Sequence, residues 1–423
     1  MNLSATTSCF LETPVRRNIS RAFALLATML CVNFATAAED GSWTGENVLP
    51  THPSKEITLA GIGGNKPQNY PLSGPWPFRV REEKNGRLRI FDGTHEGWAD
   101  KSNFVLPRDA VEYFTRRLAT KPSDTFALSM RAGAWQEQKE YDRALADYDA
   151  CIRINPTSTS YNNRGVLWNI KKDHEKAIAD LSEALKLDPK SVIARVNRGN
   201  AYRDRKDYDN ALSDYDEATR LEPRYAPAFY QRGYVLNLKK EYERAIKELT
   251  EDLRLDPHNP TAYYERGSAY RGMKDNENAV KDLSEAIRLS PKYAAAYQLR
   301  GISERTLKRY ADAVRDYEEA IRLSPKFTNA YSAYAWLLSS CPDAQFRNGA
   351  KALENAQKAY DLSGKSVSYL DVLGSAHAEA GNFEEAIKCV KQALATPEYE
   401  KQYGAALRKR LQFYEQGQAY RGE

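Results

Sequence analysis

Residues Val192–Tyr225 read VIARVNRGNAYRDRKDYDNALSDYDEATRLEPRY, and Ala226–Asn259 read APAFYQRGYVLNLKKEYERAIKELTEDLRLDPHN. The same residue types return in phase every 34 residues, and a repeat of this length decides the fold class before any local reading. Outward from this pair, small residues recur at Ala132, Gly165, Gly199, Gly233, Gly267 and Gly301, spaced 33 once and then 34. Alanines follow at 144, 177, 211, 245, 279 and 313, and prolines close each unit at 156, 189, 223, 257, 291 and 325. Each unit has room for two helices of about 14 residues and a short turn. Small residues at unit positions 8 and 20 let the two backbones approach, and proline at position 32 ends the second helix. One such hairpin cannot bury its apolar face alone, so neighbours must stack.

This pattern resembles the tetratricopeptide repeat, on residues such as Tyr202, Ala211, Tyr215, Ala218 and Pro223, with similar positions in six consecutive units from about Thr125 to Lys326. A seventh unit starts at Ala330 and Tyr331 but is broken by Ser339-Ser340-Cys341-Pro342-Asp343. Its second helix resumes around Gly349, five residues late. An eighth carries Gly374, Gly381, Phe383, Ala386 and Ala393. The expected array runs over 125–398, followed by a basic-faced capping helix at 402–416 with Arg408, Lys409 and Arg410 between the apolar residues. Position 7 is Arg in six units (131, 164, 198, 232, 266, 300), and position 23 is acidic (Asp147, Asp180, Asp214, Glu248, Asp282, Asp316). In an antiparallel hairpin the two lie at similar height, which predicts an acid-base ladder; the alternative is a basic stripe for an acidic ligand.

The resemblance implies a mainly α right-handed solenoid of about eight repeats, its concave wall lined by the first helix of each unit. It places ligand-facing side chains at positions 2, 5, 9, 12 and 13. The groove candidates are Asn162, Asn169, Val196, Asn200, Arg203, Tyr230, Tyr234, Asn237, Tyr264, Arg271, Gln298 and Arg305. Aromatics supply area, amides bind backbone and arginines take carboxylates, which suits a peptide or partner helix. The Lys and Asn set with which some members of the family clamp a C-terminal carboxylate is not reproduced.

Before the repeats the character changes. Arg16, Arg17 and Arg21 precede an apolar stretch from Ala22 to Ala37 ending Ala35-Thr36-Ala37, which predicts a signal peptide over 1–37; a retained anchor is the alternative. From Trp43 to Pro107 short alternating runs are separated by Asn85-Gly86 and Asp92-Gly93, predicting a small antiparallel barrel over 43–107. The segment Gly97-Trp98-Ala99-Asp100-Lys101-Ser102-Asn103-Phe104-Val105-Leu106 resembles the closing strands of bacterial Src-homology-3-like domains. In that family an aromatic groove can hold an extended peptide, including cell-wall peptides, and Trp43, Tyr70, Trp76 and Trp98 are the candidates here, with core packing as the other reading. The glycine-rich Gly61–Lys66 lacks P-loop spacing and is expected to be a hairpin loop. A connecting helix is expected over 109–122.

The 423 residues carry 62 Lys plus Arg and 57 Asp plus Glu, a net charge of +5 spread evenly. That does not resemble a nucleic-acid footprint. No apolar run spans a bilayer comfortably, so no membrane span is expected after signal cleavage. Of the five cysteines, Cys151, Cys341 and Cys389 lie past the signal at wide spacing, without a metal or disulfide pattern. The five histidines (52, 95, 174, 258, 377) are scattered, and no catalytic motif appears. The expected function is a non-catalytic protein-interaction scaffold of the cell envelope, exported, without cofactor or metal. The rival is a cell-wall or envelope tether acting through the barrel, with the repeats as spacer.

Overall fold

The computed structural model describes residues 42–53, 58–61, 69–71, 78–91 and 96–421. The expected signal peptide, Trp76, His95, the Asp92-Gly93 turn and most of the glycine-rich loop lie outside them. The described residues fall into two compact units, one ending at Gln231 and one beginning at Arg232.

In the first unit, β1 (Asn47–Pro50), β2 (Thr58–Gly61), β3 (Asn69–Pro71), β4 (Phe78–Lys84), β5 (Arg87–Phe91), β6 (Glu96–Asp100) and β7 (Phe104–Val105) form one antiparallel sheet. Among the described residues the order is β3-β2-β6-β5-β4-β1-β7. Asn85 and Gly86 join β4 to β5 with φ of 51° and 71°, the left-handed pair that a tight two-residue hairpin requires. Alternation puts Val48, Phe78, Val80, Leu88, Ile90, Ala99 and Phe104 into one small core. A helix, α1 (Ala110–Thr120), then carries the chain to the repeats. Its Phe114 and Leu118 pack with Leu49 and Val105 of the sheet and with Ala127, Leu128 and Met130 of the first hairpin.

The hairpins follow as α2 (Thr125–Glu137) with α3 (Tyr141–Ile154), α4 (Ser158–Ile170) with α5 (His174–Leu187), and α6 (Val192–Asp204) with α7 (Tyr208–Leu221). Next come α8 (Ala226–Leu238) with α9 (Tyr242–Leu255), α10 (Pro260–Gly272) with α11 (Asn276–Leu289), and α12 (Ala294–Thr306) with α13 (Tyr310–Leu323). The last are α14 (Thr328–Ser340) with α15 (Gly349–Leu362) and α16 (Leu370–Glu379) with α17 (Phe383–Leu394), before α18 (Pro397–Glu415). The chain is thus mainly α, with roughly eight helix-turn-helix pairs after an antiparallel sheet.

Close approach at position 8 is real: a Cβ added at Gly199 would lie 2.6 Å from the Tyr215 ring. Tyr215 and Ala211 are fully buried there. The arginine ladder forms inside each of the first six hairpins. Arg198 donates from Nε at 2.9 Å and Nη2 at 2.7 Å to the two carboxylate oxygens of Asp214. Arg131–Asp147, Arg164–Asp180, Arg266–Asp282 and Arg300–Asp316 repeat this fork, and Arg232 pairs with Glu248. The third nitrogen, Nη1, reaches back to the preceding second helix, at Asp149 for Arg164 (2.7 Å), Ser182 for Arg198 (3.2 Å) and Ser284 for Arg300 (3.0 Å). One side chain therefore ties three helices. The same arginines face tyrosine rings, as with Arg300 over Tyr297 at 5.6 Å.

The turns hold a feature that the repeat reading overlooked. Lys139, Lys172, Lys206, Lys240, Lys274 and Lys308 all have φ between 62° and 67°, the left-handed conformation that normally selects glycine. The following amide closes the helix end, as Asp207 N does on Tyr202 O at 2.9 Å, while Lys206 N bonds Arg203 O at 2.8 Å. In the eighth hairpin Gly381 takes this place with φ 83°.

The C-terminal end of the second unit differs from the expected exposed cap. The last helix starts at Pro397, and Arg410, expected on its basic face, is buried against Asp371 at 2.6 Å, with Trp336 5.2 Å beneath the guanidinium. Arg410 lies three residues from Leu407 and four from Tyr414, so it shares their buried stripe. The chain then turns back, and Arg421 bonds the Ser339 carbonyl and the Glu379 carboxylate. The inner ends of α14 and α16 are thereby covered by the chain itself. All three cysteines of the repeats are buried and unpaired.

Two outcomes are expected. Arg198→Leu leaves the buried Asp214 charge with only Arg195, 4.0 Å away, and should weaken α6–α7 by up to about 3 kcal/mol, whereas Arg198→Leu with Asp214→Leu should recover most of that. Local hydrogen exchange of α6 and α7 checks this, since a repeat array need not unfold all at once. Lys206→Gly should stabilise the same hairpin by about 0.5–1 kcal/mol, and slower exchange at its turn amides is the readout.

Candidate functional site

Successive first helices touch within each unit: α4 with α6 in the first, and α10, α12, α14 and α16 in turn in the second. Their common face carries the predicted groove residues. In the first unit the structure draws these residues into a buried polar network. Asn197 donates to Asn162 at 2.9 Å, and Asn169 donates to Asp204 at 2.9 Å and meets His174 Nδ1 at 2.7 Å. Asn200, 1% exposed, accepts from the Tyr215 hydroxyl at 2.8 Å. Arg203 forks onto Asp204 from Nε and Nη2 (2.9 and 2.8 Å) and donates from Nη1 to Gln231. Val196 is buried, and Tyr230 is half-buried.

In the second unit, Asn237 donates to the Glu265 carbonyl at 2.9 Å and to its carboxylate at 3.1 Å. Tyr264 packs on Tyr293 with ring centroids 5.1 Å apart. Gln298 is buried, while Tyr234, Arg271 and Arg305 are half-buried. Asn162, Asn169, Val196, Asn200, Arg203, Tyr264 and Gln298 are thus buried, and the surface that these candidates offer comes from half-buried Tyr230 in the first unit and from Tyr234, Asn237, Arg271 and Arg305 in the second.

Asp204, Gln231, Glu265 and Tyr317 belong to this site and were missed. A signal for them exists in the sequence: position 12 of one unit is answered by position 6 of the next, 28 residues on. Arg203 meets Gln231 and Asn237 meets Glu265 in this way. The rule then lapses. Twenty-eight residues beyond Arg271 stands Leu299, and beyond Arg305 stands Ala333. Position 13, where Asp204 neutralises Arg203, is Gly272 or Thr306. Among the described residues neither Arg271 nor Arg305 has an ion pair, and Arg271 Nε is buried without a hydrogen-bond partner. Burial pushes the Arg271 guanidinium below its ordinary range; Arg305 pushes the same way, while the phenols of Tyr264, Tyr242 and Tyr317 push back.

Among the described residues no group of three or more His, Cys, Asp or Glu is placed to hold a metal ion, and no helix is long and apolar enough to cross a membrane. In the sheet, Trp43 packs against the core under Lys101 Nζ (4.3 Å), and its amide donates to Glu83 at 2.6 Å. Trp98 pairs with Arg89 on the face of β6 opposite the buried Ala99 and is half-buried. Trp43 therefore sits at the core and Trp98 on the other face. The Tyr70 side chain and Trp76 lie outside what is described.

Glu265 is 7% exposed, and burial raises its carboxyl from the ordinary 4.5 to about 7, with the Asn237 hydrogen bond opposing. The folded chain then holds a proton that the unfolded chain has released, so stability present at low pH is lost as pH rises through this window. Glu265→Gln should match the parent below about pH 4.5 and exceed it above pH 7, by on the order of 2–3 kcal/mol at most. Denaturant midpoints read at pH 4.5 and 8 check the sign.

Tetratricopeptide repeat models match residues 158–191, 199–239, 233–274, 264–326 and 367–396. No curated protein matches the chain significantly. Among solved structures, MamA is 25% identical over 38% of this chain and 95% of its own, with a TM-score of 0.36. The Cut9–Hcn1 hetero-tetramer of APC/C is 18% identical over 64% of this chain and 52% of its own, with a TM-score of 0.50, a likeness of fold alone. YrrB, described as a TPR protein with an unusual peptide-binding site, is 22% identical over 44% of this chain and 96% of its own, with a TM-score of 0.38. Repeats of this type are typically non-catalytic scaffolds and imply protein partners. From the repeated helix pairs and the five matched stretches together, the chain is a tetratricopeptide repeat protein over its helical hairpins.

Proposed function

We propose that the chain is an exported, non-catalytic scaffold of the cell envelope that binds a peptide or partner protein on the inner face of its first helices. The observation that carries this is the composition of that face in the second unit: half-buried Tyr234, Arg271 and Arg305 remain partly open after the core and the polar network have taken their share. Tyrosine offers contact area at low entropic cost, and arginine offers a planar fork for carboxylates. The setting follows from the basic, short-apolar, Ala-Thr-Ala leader alone. A second reading rests on the sheet. Phe91 is 42% exposed, and with half-buried Trp98 it offers aromatic surface for tethering through a Src-homology-3-like barrel.

Site-specific photo-crosslinking of the whole chain in its own envelope separates the readings. A probe at Tyr234 should capture a partner, and one at Lys281 on the exposed side of α11 should not. Capture from Arg79 on the sheet, with none from Tyr234, would transfer the function to the barrel.

A further inference from the structure

The residues that follow α18 fold back onto the inner ends of α14 and α16, and few contacts hold them there. Gly417 takes a left-handed φ of 68° and reverses the chain. Its amide donates to the Tyr414 carbonyl at 3.0 Å, and that of Gln418 to the Phe413 carbonyl at 2.9 Å. Beyond these, among the described residues, Ala419, Tyr420 and Arg421 make no hydrogen bond with another backbone group through their own backbone. Side chains hold the segment instead. Half-buried Tyr420 meets the Phe413 ring edge-on at 5.7 Å and lies 5.7 Å from both the Arg410 guanidinium and the Lys409 ammonium. Arg421 gives Nη1 to the Glu379 carboxylate and, at 3.4 Å, to the Ser339 carbonyl. Its side chain is still 42% exposed, so the contact can be reached from outside.

What receives this arginine is built independently of it. Glu379 closes α16, and Ser339 lies one residue from the end of α14. Two helix C-termini, each carrying partial negative charge, thus meet one guanidinium. The other oxygen of Glu379 is taken by Arg347 Nε at 3.2 Å. Arg347 is fixed in turn by the Cys341 and Pro342 carbonyls, at 2.9 and 3.1 Å, in the stretch that interrupts the seventh hairpin. Removing Arg421 therefore leaves Glu379 paired, and no buried charge is stranded. Phe413 is anchored on the adjoining core, and Arg410 beneath Tyr420 already has Asp371 at 2.6 Å. The acid, the helix-end carbonyl and the aromatic wall form a ready acceptor whose occupant is held by two side chains.

We infer that the surface between α14, α16 and α18 is a docking site for a short extended segment of a partner protein in which an aromatic residue precedes an arginine, and that Tyr420 and Arg421 occupy it in cis until such a segment displaces them. The partner's arginine takes the Glu379 carboxylate and the Ser339 carbonyl, and its ring takes the place against Phe413. A segment on so short a tether competes at an effective concentration on the order of millimolar, so it excludes weak segments and yields to tighter ones. The inference rests on the partner-binding reading of the inner face and adds to it a site of opposite polarity, in which an acid of this chain selects a cation.

The test asks whether the returning segment binds in trans. The probe is the labelled, amidated peptide Gln-Ala-Tyr-Arg-Gly-Glu, the sequence of 418–423. Fluorescence anisotropy compares the full chain with the full chain carrying Tyr420→Ala and Arg421→Ala, which empties the site without altering any residue of α18. The emptied chain should bind the peptide at least about tenfold more tightly than the parent. Peptides with Gln for Arg, or Ala for Tyr, should each lose about tenfold on the emptied chain, a comparison in which the protein is unchanged. Glu379→Gln in the emptied chain should reproduce that loss, whereas Glu354→Gln, at an exposed position of α15, should not alter binding. Circular dichroism of each variant secures the fold. Equal binding by parent and emptied chains, binding by neither, or no preference for the Tyr-Arg peptide over its altered forms overturns the inference. So does a concentration-dependent dimer of the parent that the emptied chain does not form, since the segment would then serve a second copy. If these outcomes fail while a probe at Tyr234 still captures a partner, the scaffold reading stands and only this site is removed.

Discussion

Everything in the helical part depends on how closely the two helices of a hairpin can lie. At Gly199 the Tyr215 ring fills the space that a side chain would claim, and the same contact recurs at Gly301 with Tyr317. Once the backbones meet there, position 7 and position 23 stand opposite each other, and the Arg–Asp fork closes without further adjustment. The fork contributes register rather than much net stability, because part of its Coulomb gain offsets desolvation. Its third nitrogen carries that register to the preceding hairpin. The inner face is what remains after these contacts have been made.

That face is less open than its residue types suggest. Amides at positions 5, 9 and 12 of the first unit are engaged by groups of the chain itself: Asn162 by Asn197, Asn200 by Tyr215 and Arg203, and Asn169 by Asp204 and His174. Buried polar groups must be paired, so a row of Asn and Gln in a repeat array serves as internal wiring first and as ligand surface second. The second unit is wired at Asn237 and Glu265 and then stops. Beyond that point apolar residues take position 6, and the cations at position 12 lose their internal answer. The covered ends of α14 and α16, where Arg421 reaches Ser339 and Glu379, bound the open stretch on the other side.

The hairpins were legible because their physical causes are local and periodic. Small residues at position 8, proline at position 32 and the Arg-acid pair at positions 7 and 23 each repeat in step. The left-handed lysines are equally periodic, yet they were not read as helix stops, because glycine rather than lysine is the expected residue at such a φ. Arg410 was misplaced for a different reason. A run of Arg408, Lys409 and Arg410 reads as a solvated face, but helical geometry sends the third to the side of Leu407 and Tyr414, where Asp371 receives it.

By itself the amino-acid sequence determined that hairpins form, where they turn and which acid meets which arginine, since all of these are contacts within about one repeat. The tertiary structure alone decided which inner-face residues are still available, because pairing between hairpins consumes most of them. Asn200 and Arg271 belong to the same set by spacing, yet the Asn200 side-chain oxygen accepts from Tyr215 and Arg203, whereas the Arg271 guanidinium makes no ion pair among the described residues and its Nε is buried without a hydrogen-bond partner. The difference lies in what the neighbouring helix presents at the same height: a hydrogen-bonding group in the first unit, and Leu299 in the second.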